Sequence, residues 1–140
     1  MKFKFLFIVL ILALLFTINV EANAANISDE VDELPTKMVG IGLPNYGWAE
    51  TNEQGQITGY EGFNVGLGYS KKNYFEPGLK INQFNPYWGW GTVILVLPYI
   101  EAGGDYVVEP NNSDNFWSFG GAVGLYALIP SIRVNATYHF

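Results

Sequence analysis

The segment SIRVNATYHF, which runs from Ser131 to Phe140, decides the fold class of this chain. Apolar side chains fill every second position, and polar or charged side chains fill the positions between them. A helix would wind Arg133 and Asn135 in among the apolar side chains, whereas a β-strand places the two sets on opposite faces. The segment is therefore predicted to be a strand whose apolar face carries Ile132, Val134, Ala136, Tyr138 and Phe140.

The same alternation recurs along the chain after residue 36, interrupted by turn residues such as Gly, Asn and Pro. It predicts strands over residues 37–50, 57–69, 74–84, 87–97, 99–108, 116–128 and 131–140. These are seven segments, whereas a closed antiparallel barrel with both chain ends on one side needs an even number of strands. Either one segment contains two strands, for which 37–58 and 87–109 are the candidates, or one turn is misassigned.

The two faces of these predicted strands differ in a way that indicates a barrel in lipid. The face opposite the bulky apolar side chains is mainly Gly, Asn, Ser and Thr. Small side chains suit the interior of a narrow barrel, and bulky apolar side chains suit lipid. The residues expected to face lipid are Phe63, Val65, Leu67, Tyr69, Ile132 and Val134. The residues expected to line the lumen are Asn64, Gly66, Arg133, Asn135 and Thr137.

Aromatic side chains concentrate near the ends of the predicted strands. Membrane barrels carry girdles of aromatic residues at both lipid–water interfaces, and such girdles would place aromatic residues at these positions. The residues concerned are Tyr46, Trp48, Tyr74, Phe75, Tyr87, Trp88, Phe116, Trp117, Tyr138 and Phe140.

The first 24 residues have the features of a cleavable export signal. Lys2 and Lys4 supply positive charge, residues 5–16 form an unbroken apolar run, and Ala22 and Ala24 form the cleavage site. The run is shorter than the about 20 residues that a membrane-spanning helix needs. We therefore expect three parts, which are a signal peptide over 1–24, an acidic flexible lead-in over 25–36 and a β-barrel domain over 37–140.

The composition narrows the possible functions. Charged residues make up only 14% of the chain, below the roughly 25% of an average soluble domain. The absence of Cys excludes a disulfide framework, a thiol nucleophile and a Cys-ligated metal. A net charge of −6 gives no basic surface for nucleic acid. No Gly-rich phosphate loop or metal-ligand spacing is present, so the sequence predicts no cofactor and no metal.

Two stretches resemble small bacterial outer-membrane barrels. The alternating final segment ends in Phe140, with Tyr138 and Ala136 in phase, which is similar to the C-terminal signal that the barrel-assembly machinery reads. PYIEAGGDY, from Pro98 to Tyr106, resembles strand openings of OmpA-like and OmpX-like barrels. The resemblance implies an antiparallel up-and-down transmembrane β-barrel of eight short strands, with membrane lipid, the secretion machinery and the barrel-assembly machinery as its partners.

The reactive side chains form no recognised catalytic motif. His139 is the only His, so a Ser/His/acid hydrolase would have to use it. Glu101 and Asp105 are among the carboxylates that could point into the lumen and pair with Lys80 or Arg133. We expect an outer-membrane barrel with a structural, adhesion or small-ligand role and no catalysis. Three alternatives stay open, namely an oligomeric narrow pore, an exported soluble barrel that binds an apolar ligand, and a lipid-modifying outer-membrane hydrolase.

Overall fold

The protein folds as a closed antiparallel β-barrel. The computed structural model describes residues 35–108 and 115–140, so the predicted signal peptide and most of the lead-in over 25–36 lie outside the described residues. Eight strands follow one another around the barrel, each paired with the next, and the last pairs with the first. The strands are β1 (Lys37–Ile41), β2 (Tyr46–Thr51), β3 (Ile57–Phe63), β4 (Tyr69–Tyr74), β5 (Phe84–Thr92), β6 (Pro98–Val108), β7 (Phe116–Tyr126) and β8 (Ile129–His139). The predicted all-β, eight-stranded, up-and-down fold is confirmed.

The odd strand count arose because the predicted segment 37–50 contains two strands. A turn at residues 42–45 separates β1 from β2, so 37–58 was the correct candidate. Other predicted bounds were wrong. Residues 74–84 are mostly a connection, since β4 ends at Tyr74 and β5 begins at Phe84, and residues 93–97 are a turn rather than the end of a strand.

The predicted strand over residues 57–69 was also wrong, because it runs across a turn. β3 ends at Phe63 and β4 begins at Tyr69. Between them Gly66 and Leu67 have φ angles of 95° and 66°, a left-handed conformation that ends a strand. The turn alternates apolar residues with glycines and therefore mimics a strand in sequence. Residues 70–73, which the predicted strands 57–69 and 74–84 leave between them as a connection, lie instead within β4.

The strands are strongly tilted, as the register shows. Lys37 pairs with Phe140 across the barrel closure, through backbone hydrogen bonds in both directions. The opposite route starts at Lys37 and passes from each paired residue to the next, through β2, β3, β4, β5, β6 and β7. It reaches β8 at Pro130. The displacement along β8, from Phe140 to Pro130, is ten residues. A shear of this size tilts the strands of an eight-stranded barrel by about 45°.

The two ends of the barrel differ in their connections. The long-loop end holds the start of β1, the end of β8, the end of β6, the start of β7 and the connections 52–56 and 75–83. The short-turn end holds the turns 42–45, 64–68, 93–97 and 127–128. Apolar side chains fill the interior at the long-loop end. This core comprises Met38, Ile57, Tyr60, Tyr74, Leu79, Ile81, Tyr87, Val107, Phe116 and Ala122, of which Leu79 and Ile81 come from the connection 75–83.

The wall is taller on one side than on the other. Strands β1–β4 have 5 to 7 residues, whereas β5–β8 have 9 to 11. At a rise of 3.3 Å per residue and a tilt of 45°, these lengths correspond to heights of about 12–16 Å and about 21–26 Å. Because β1 is short, it pairs only with Ala136–His139 of β8. Among the described residues, no strand pairs with residues 129–135 on that side of β8.

Candidate functional site

The outer wall of the barrel is largely apolar. Alternate side chains of every strand point outward, and most of the outward ones are bulky hydrophobic residues. On β8, Ile132 and Val134 are 85% and 75% exposed. The residues between and beside them, Arg133, Asn135 and Thr137, face the interior and are buried or half-buried. These five positions lie on the sides of the wall that the alternation predicted.

The positions predicted around the β3–β4 turn are only partly right. Phe63 is exposed on the outer wall and Asn64 is buried at the barrel mouth, where its amide donates to the Ser70 hydroxyl at 2.5 Å. Val65 and Leu67 are exposed, but they lie in the turn and not on the face of a strand. Gly66 does not line the lumen, because it lies exposed at the tip of the same turn.

Tyr69 lies on the outer side of β4, where it is half-buried and donates its hydroxyl to a neighbouring carboxylate. That carboxylate belongs to Glu61, which accepts from Tyr69 at 2.5 Å and from the Trp48 indole at 2.8 Å. Beside this cluster, Lys71 pairs with Glu50 at 2.5 Å. The ionised groups on the outer faces of β2, β3 and β4 are therefore compensated by neighbours on the same wall.

The middle of the interior is a network centred on Asp105, which is 1% exposed. One carboxylate oxygen accepts from the Lys72 ammonium at 2.8 Å and from the Tyr74 hydroxyl at 2.6 Å. The other accepts from the Asn135 amide. The ammonium also lies 4.3 Å from the centre of the Tyr87 ring. The ion pair therefore has the additional hydrogen bonds that a buried charge requires.

A second ion pair lies nearer the short-turn end of the interior. Arg133 donates from Nη2 to both carboxylate oxygens of Glu101, at 2.5 and 2.6 Å. Tyr126 donates its hydroxyl to the same carboxylate and accepts from Arg133 Nε at 3.1 Å. Glu101, one of the carboxylates that could pair with Lys80 or Arg133, pairs with Arg133. Asp105 pairs with Lys72 rather than with Lys80. Lys72 was not predicted to face the interior, because the predicted strands leave residues 70–73 as a connection.

His139 is enclosed in the core of the barrel and is 1% exposed. Its two ring nitrogens contact the Ser118 hydroxyl at 2.8 Å and the Tyr60 hydroxyl at 2.9 Å, and its ring stacks on Phe116. The pair of Ser118 and His139 has the spacing of a nucleophile and a base. The hydroxyl of Ser118, however, is as buried as the ring, so a substrate carbonyl has no path to it in this conformation.

A shallow cleft of about 430 Å³ opens at the short-turn end, beside the part of β8 that β1 leaves uncovered. Its lining combines aliphatic side chains with the polar side chains of Asn45, Tyr126 and Arg133. The cleft is lined by Gly42, Leu43, Asn45, Val65, Val93, Tyr126, Ser131, Ile132 and Arg133. It reaches only the mouth of the barrel, because the side chains of the Asp105 network and of the core occupy the interior below it.

The aromatic residues predicted to form girdles separate into two groups. Tyr74, Tyr87 and Phe116 are buried in the core, which corrects their assignment to an interface. Trp48, Trp88 and Trp117 are exposed on the outer wall, and Tyr46, Phe75 and Phe140 are exposed as well. Near the barrel closure, Tyr138 stacks on Phe140, and Ala136 pairs with Ile41 of β1.

No helix long and apolar enough to cross a membrane occurs among residues 35–108 and 115–140. In the same part of the chain, no group of three or more His, Cys, Asp or Glu side chains is placed to hold a metal ion. No protein-family model, no curated protein and no solved structure matches this chain. The function must therefore be inferred from the barrel itself.

Proposed function

We propose that the protein is an outer-membrane β-barrel whose outer wall contacts lipid and whose role is structural or adhesive. The observation that carries this proposal is the reversal of polarity across the wall. Ile132 and Val134 are exposed outside, while the charged side chains of Lys72, Asp105 and Glu101 are buried inside. A soluble protein seldom exposes a continuous apolar patch of more than a few hundred Å². A lipid environment makes such a surface favourable.

The filled interior favours a structural role over a pore. Tyr60, Tyr87 and Phe116 are buried in the barrel, and the Asp105 network occupies the level next to them. Eight strands enclose a space that side chains fill, whereas water-filled channels belong to barrels of 16 or more strands. The same packing weighs against a soluble barrel that binds an apolar ligand, since such a protein needs an empty interior cavity.

The geometry of His139 weighs against the lipid hydrolase. In a catalytic triad, the histidine Nδ1 is hydrogen-bonded to a carboxylate that orients the ring. In this protein, His139 Nδ1 contacts the Tyr60 hydroxyl instead. His139 serves here as a buried link between Tyr60, Ser118 and Phe116. The proposed role therefore needs no catalytic residue, and the contacts of His139 are those of packing and hydrogen bonding within a filled barrel.

The proposal includes the route by which the protein reaches the membrane. The resemblance of residues 1–24 to a signal peptide supports export through the secretion machinery. The alternating β8, with Tyr138 and Phe140 in phase, supports assembly by the machinery that inserts outer-membrane barrels. Ala136 lies in phase with both residues and completes the proposed assembly signal.

Fractionation of the producing cells tests the proposal. We expect the mature protein in the outer-membrane fraction, resistant to extraction with urea, and migrating differently on a gel before and after boiling, because a folded closed barrel resists detergent until it is heated. A soluble periplasmic protein without a mobility shift would contradict the proposal and would make an apolar-ligand carrier the better candidate.

A further inference from the structure

The four turns at the short-turn end carry no charged residue. Residues 42–45, 64–68, 93–97 and 127–128 contain no Asp, Glu, Lys or Arg. Their exposed side chains are aliphatic, namely Val65, Leu67, Ile94, Leu95, Val96, Leu97 and Leu128. The connections at the long-loop end are different, since residues 52–56 and 75–83 contain Glu53, Glu76 and Lys80. Turn tips bathed in water are normally polar, so this end requires a separate explanation.

The outer wall of β6, β7 and β8 changes character in the same direction. Near the long-loop end its outward side chains include the aromatic residues Tyr106, Trp117 and Tyr138. Nearer the short-turn end they are aliphatic, as at Ile100 and Leu125. Tyr and Trp prefer the lipid–water interface, and aliphatic residues prefer the hydrocarbon interior. This sector of the wall therefore has an aromatic belt at the long-loop end and aliphatic residues at the other.

The height of the strands also indicates that the short-turn end lies within the hydrocarbon layer. With the long-loop end at one interface, strands β1–β4 reach about 12–16 Å into a hydrocarbon layer of about 30 Å. The turns 42–45 and 64–68 at their tips would then lie inside that layer. Strands β5–β8 reach about 21–26 Å, which leaves their turns near the far side of the hydrocarbon.

Part of the backbone of these turns is hydrogen-bonded within this end of the barrel, which lowers the cost of placing it in hydrocarbon. Val93 N donates to Leu97 O at 2.9 Å, and Leu97 N donates to Ile94 O at 2.8 Å. In the β3–β4 turn, Asn64 N donates to Gly68 O at 2.8 Å. The side chain of Asn45 accepts from Val65 N at 2.9 Å, and so links the first turn to the second.

We propose that the short-turn end is embedded in the hydrocarbon of the bilayer, so that lipid acyl chains cover its turns and no loop emerges into water there. The long-loop end then lies at the aqueous interface. This inference rests on the proposed membrane location and adds the direction and depth of insertion. It differs from the usual outer-membrane barrel, which extends its longer loops from the end opposite the chain termini.

Single-cysteine variants test this inference, because the chain has no Cys of its own. Leu95→Cys and Leu128→Cys report on the short-turn end, Gln54→Cys on the long-loop end and Val134→Cys on the wall. Each full-length mature variant is placed in phospholipid vesicles and treated with a membrane-impermeant maleimide present on both sides of the bilayer. Unfolding in urea and detergent afterwards gives the total reactivity of each cysteine.

We expect Gln54→Cys to react fully in vesicles, and Leu95→Cys and Leu128→Cys to lose their labelling until the protein is unfolded. Rapid reaction of both turn cysteines while Val134→Cys stays protected would overturn the inference and leave the membrane location intact. Reaction of all four cysteines, with the protein failing to float with vesicles, would overturn both proposals.

Protection by lipid must be separated from protection by a second copy of the chain. A permeant fluorophore attached at Val65→Cys, in the turn 64–68 that would lie nearest the bilayer centre, is therefore measured in vesicles whose acyl chains carry a quencher at that depth. Strong quenching is the expected result. A protected but unquenched fluorophore would show that the turns pack against protein, and would overturn the assignment of acyl chains to this surface.

Discussion

Replacing Asp105 with Asn is expected to lower the free energy of unfolding by about 3–5 kcal/mol, the usual cost of breaking a buried ion pair by removing one partner. The substitution keeps the shape of the side chain but leaves the Lys72 ammonium, which is 3% exposed, without its counter-ion. The hydrogen bond from Tyr74 to the lost carboxylate also weakens. A urea titration of the protein in detergent micelles, followed by the gel mobility of the folded form, measures the change.

The double variant Asp105→Asn/Lys72→Met tests whether the loss of stability comes from the unpaired Lys72 ammonium. It removes both charges and keeps a similar volume, so we expect it to recover most of the lost stability. Glu76→Gln, at an exposed position in the connection 75–83, should change stability by less than about 0.5 kcal/mol. An Asp105→Asn protein as stable as the parent would show that the interior is hydrated and not the packed network described above.

A positive charge on the outer wall is expected to have the second largest effect. Val134 lies at the middle of β8, is 75% exposed, and pairs across the sheet with Gly121, so an arginine there meets no steric obstacle. In a bilayer, Val134→Arg should destabilise the barrel by about 2–4 kcal/mol, because the side chain must enter hydrocarbon near its midplane. Urea unfolding in phospholipid vesicles gives the value.

The control for this variant is Gln54→Arg, in a turn at the long-loop end. It adds the same charge at an exposed position and should change stability by about 0.5 kcal/mol or less. If Val134→Arg proves equally harmless in vesicles, the wall around β8 is in water, because a soluble barrel tolerates a surface arginine.

The sequence predicts the barrel because the last strand alternates without interruption. On β8, the sides on which Ile132 and Arg133 lie follow directly from a period of two residues. A carboxylate such as Glu101 needs a cationic partner if it faces a narrow interior, but only the structure identifies that partner as Arg133. The all-β class and the need for an even number of strands followed from the same pattern.

Strand bounds could not be predicted where turns imitate strands. Between Asn64 and Gly68, apolar residues alternate with glycines, and only the left-handed backbone of Gly66 and Leu67 reveals a turn. The opposite error affected Lys72, which lies in a strand although its stretch of sequence is typical of a loop. Adjacent lysines suggest a loop, yet β4 sends Lys71 outward to Glu50 and Lys72 inward to Asp105.

The difference between the two ends of the barrel was also invisible in the sequence alone. The aliphatic stretch 93–97 and the exposed Leu128 come together only when the topology places both at the short-turn end. Similarly, the core partners of His139 lie far from it in sequence, since Tyr60 is in β3 and Phe116 is in β7. Periodicity assigns a residue to a face, whereas these groupings depend on how the strands close.

The central claim is that the outer wall contacts lipid, and the native tryptophans can test it without any substitution. All four, Trp48, Trp88, Trp90 and Trp117, are exposed on that wall. Their fluorescence is measured in vesicles of ordinary lipid and in vesicles whose acyl chains carry bromine, a short-range quencher. We predict blue-shifted emission that loses a large fraction of its intensity in the brominated lipid. Red-shifted emission of equal intensity in both, with the protein left in solution when the vesicles float, would contradict the account.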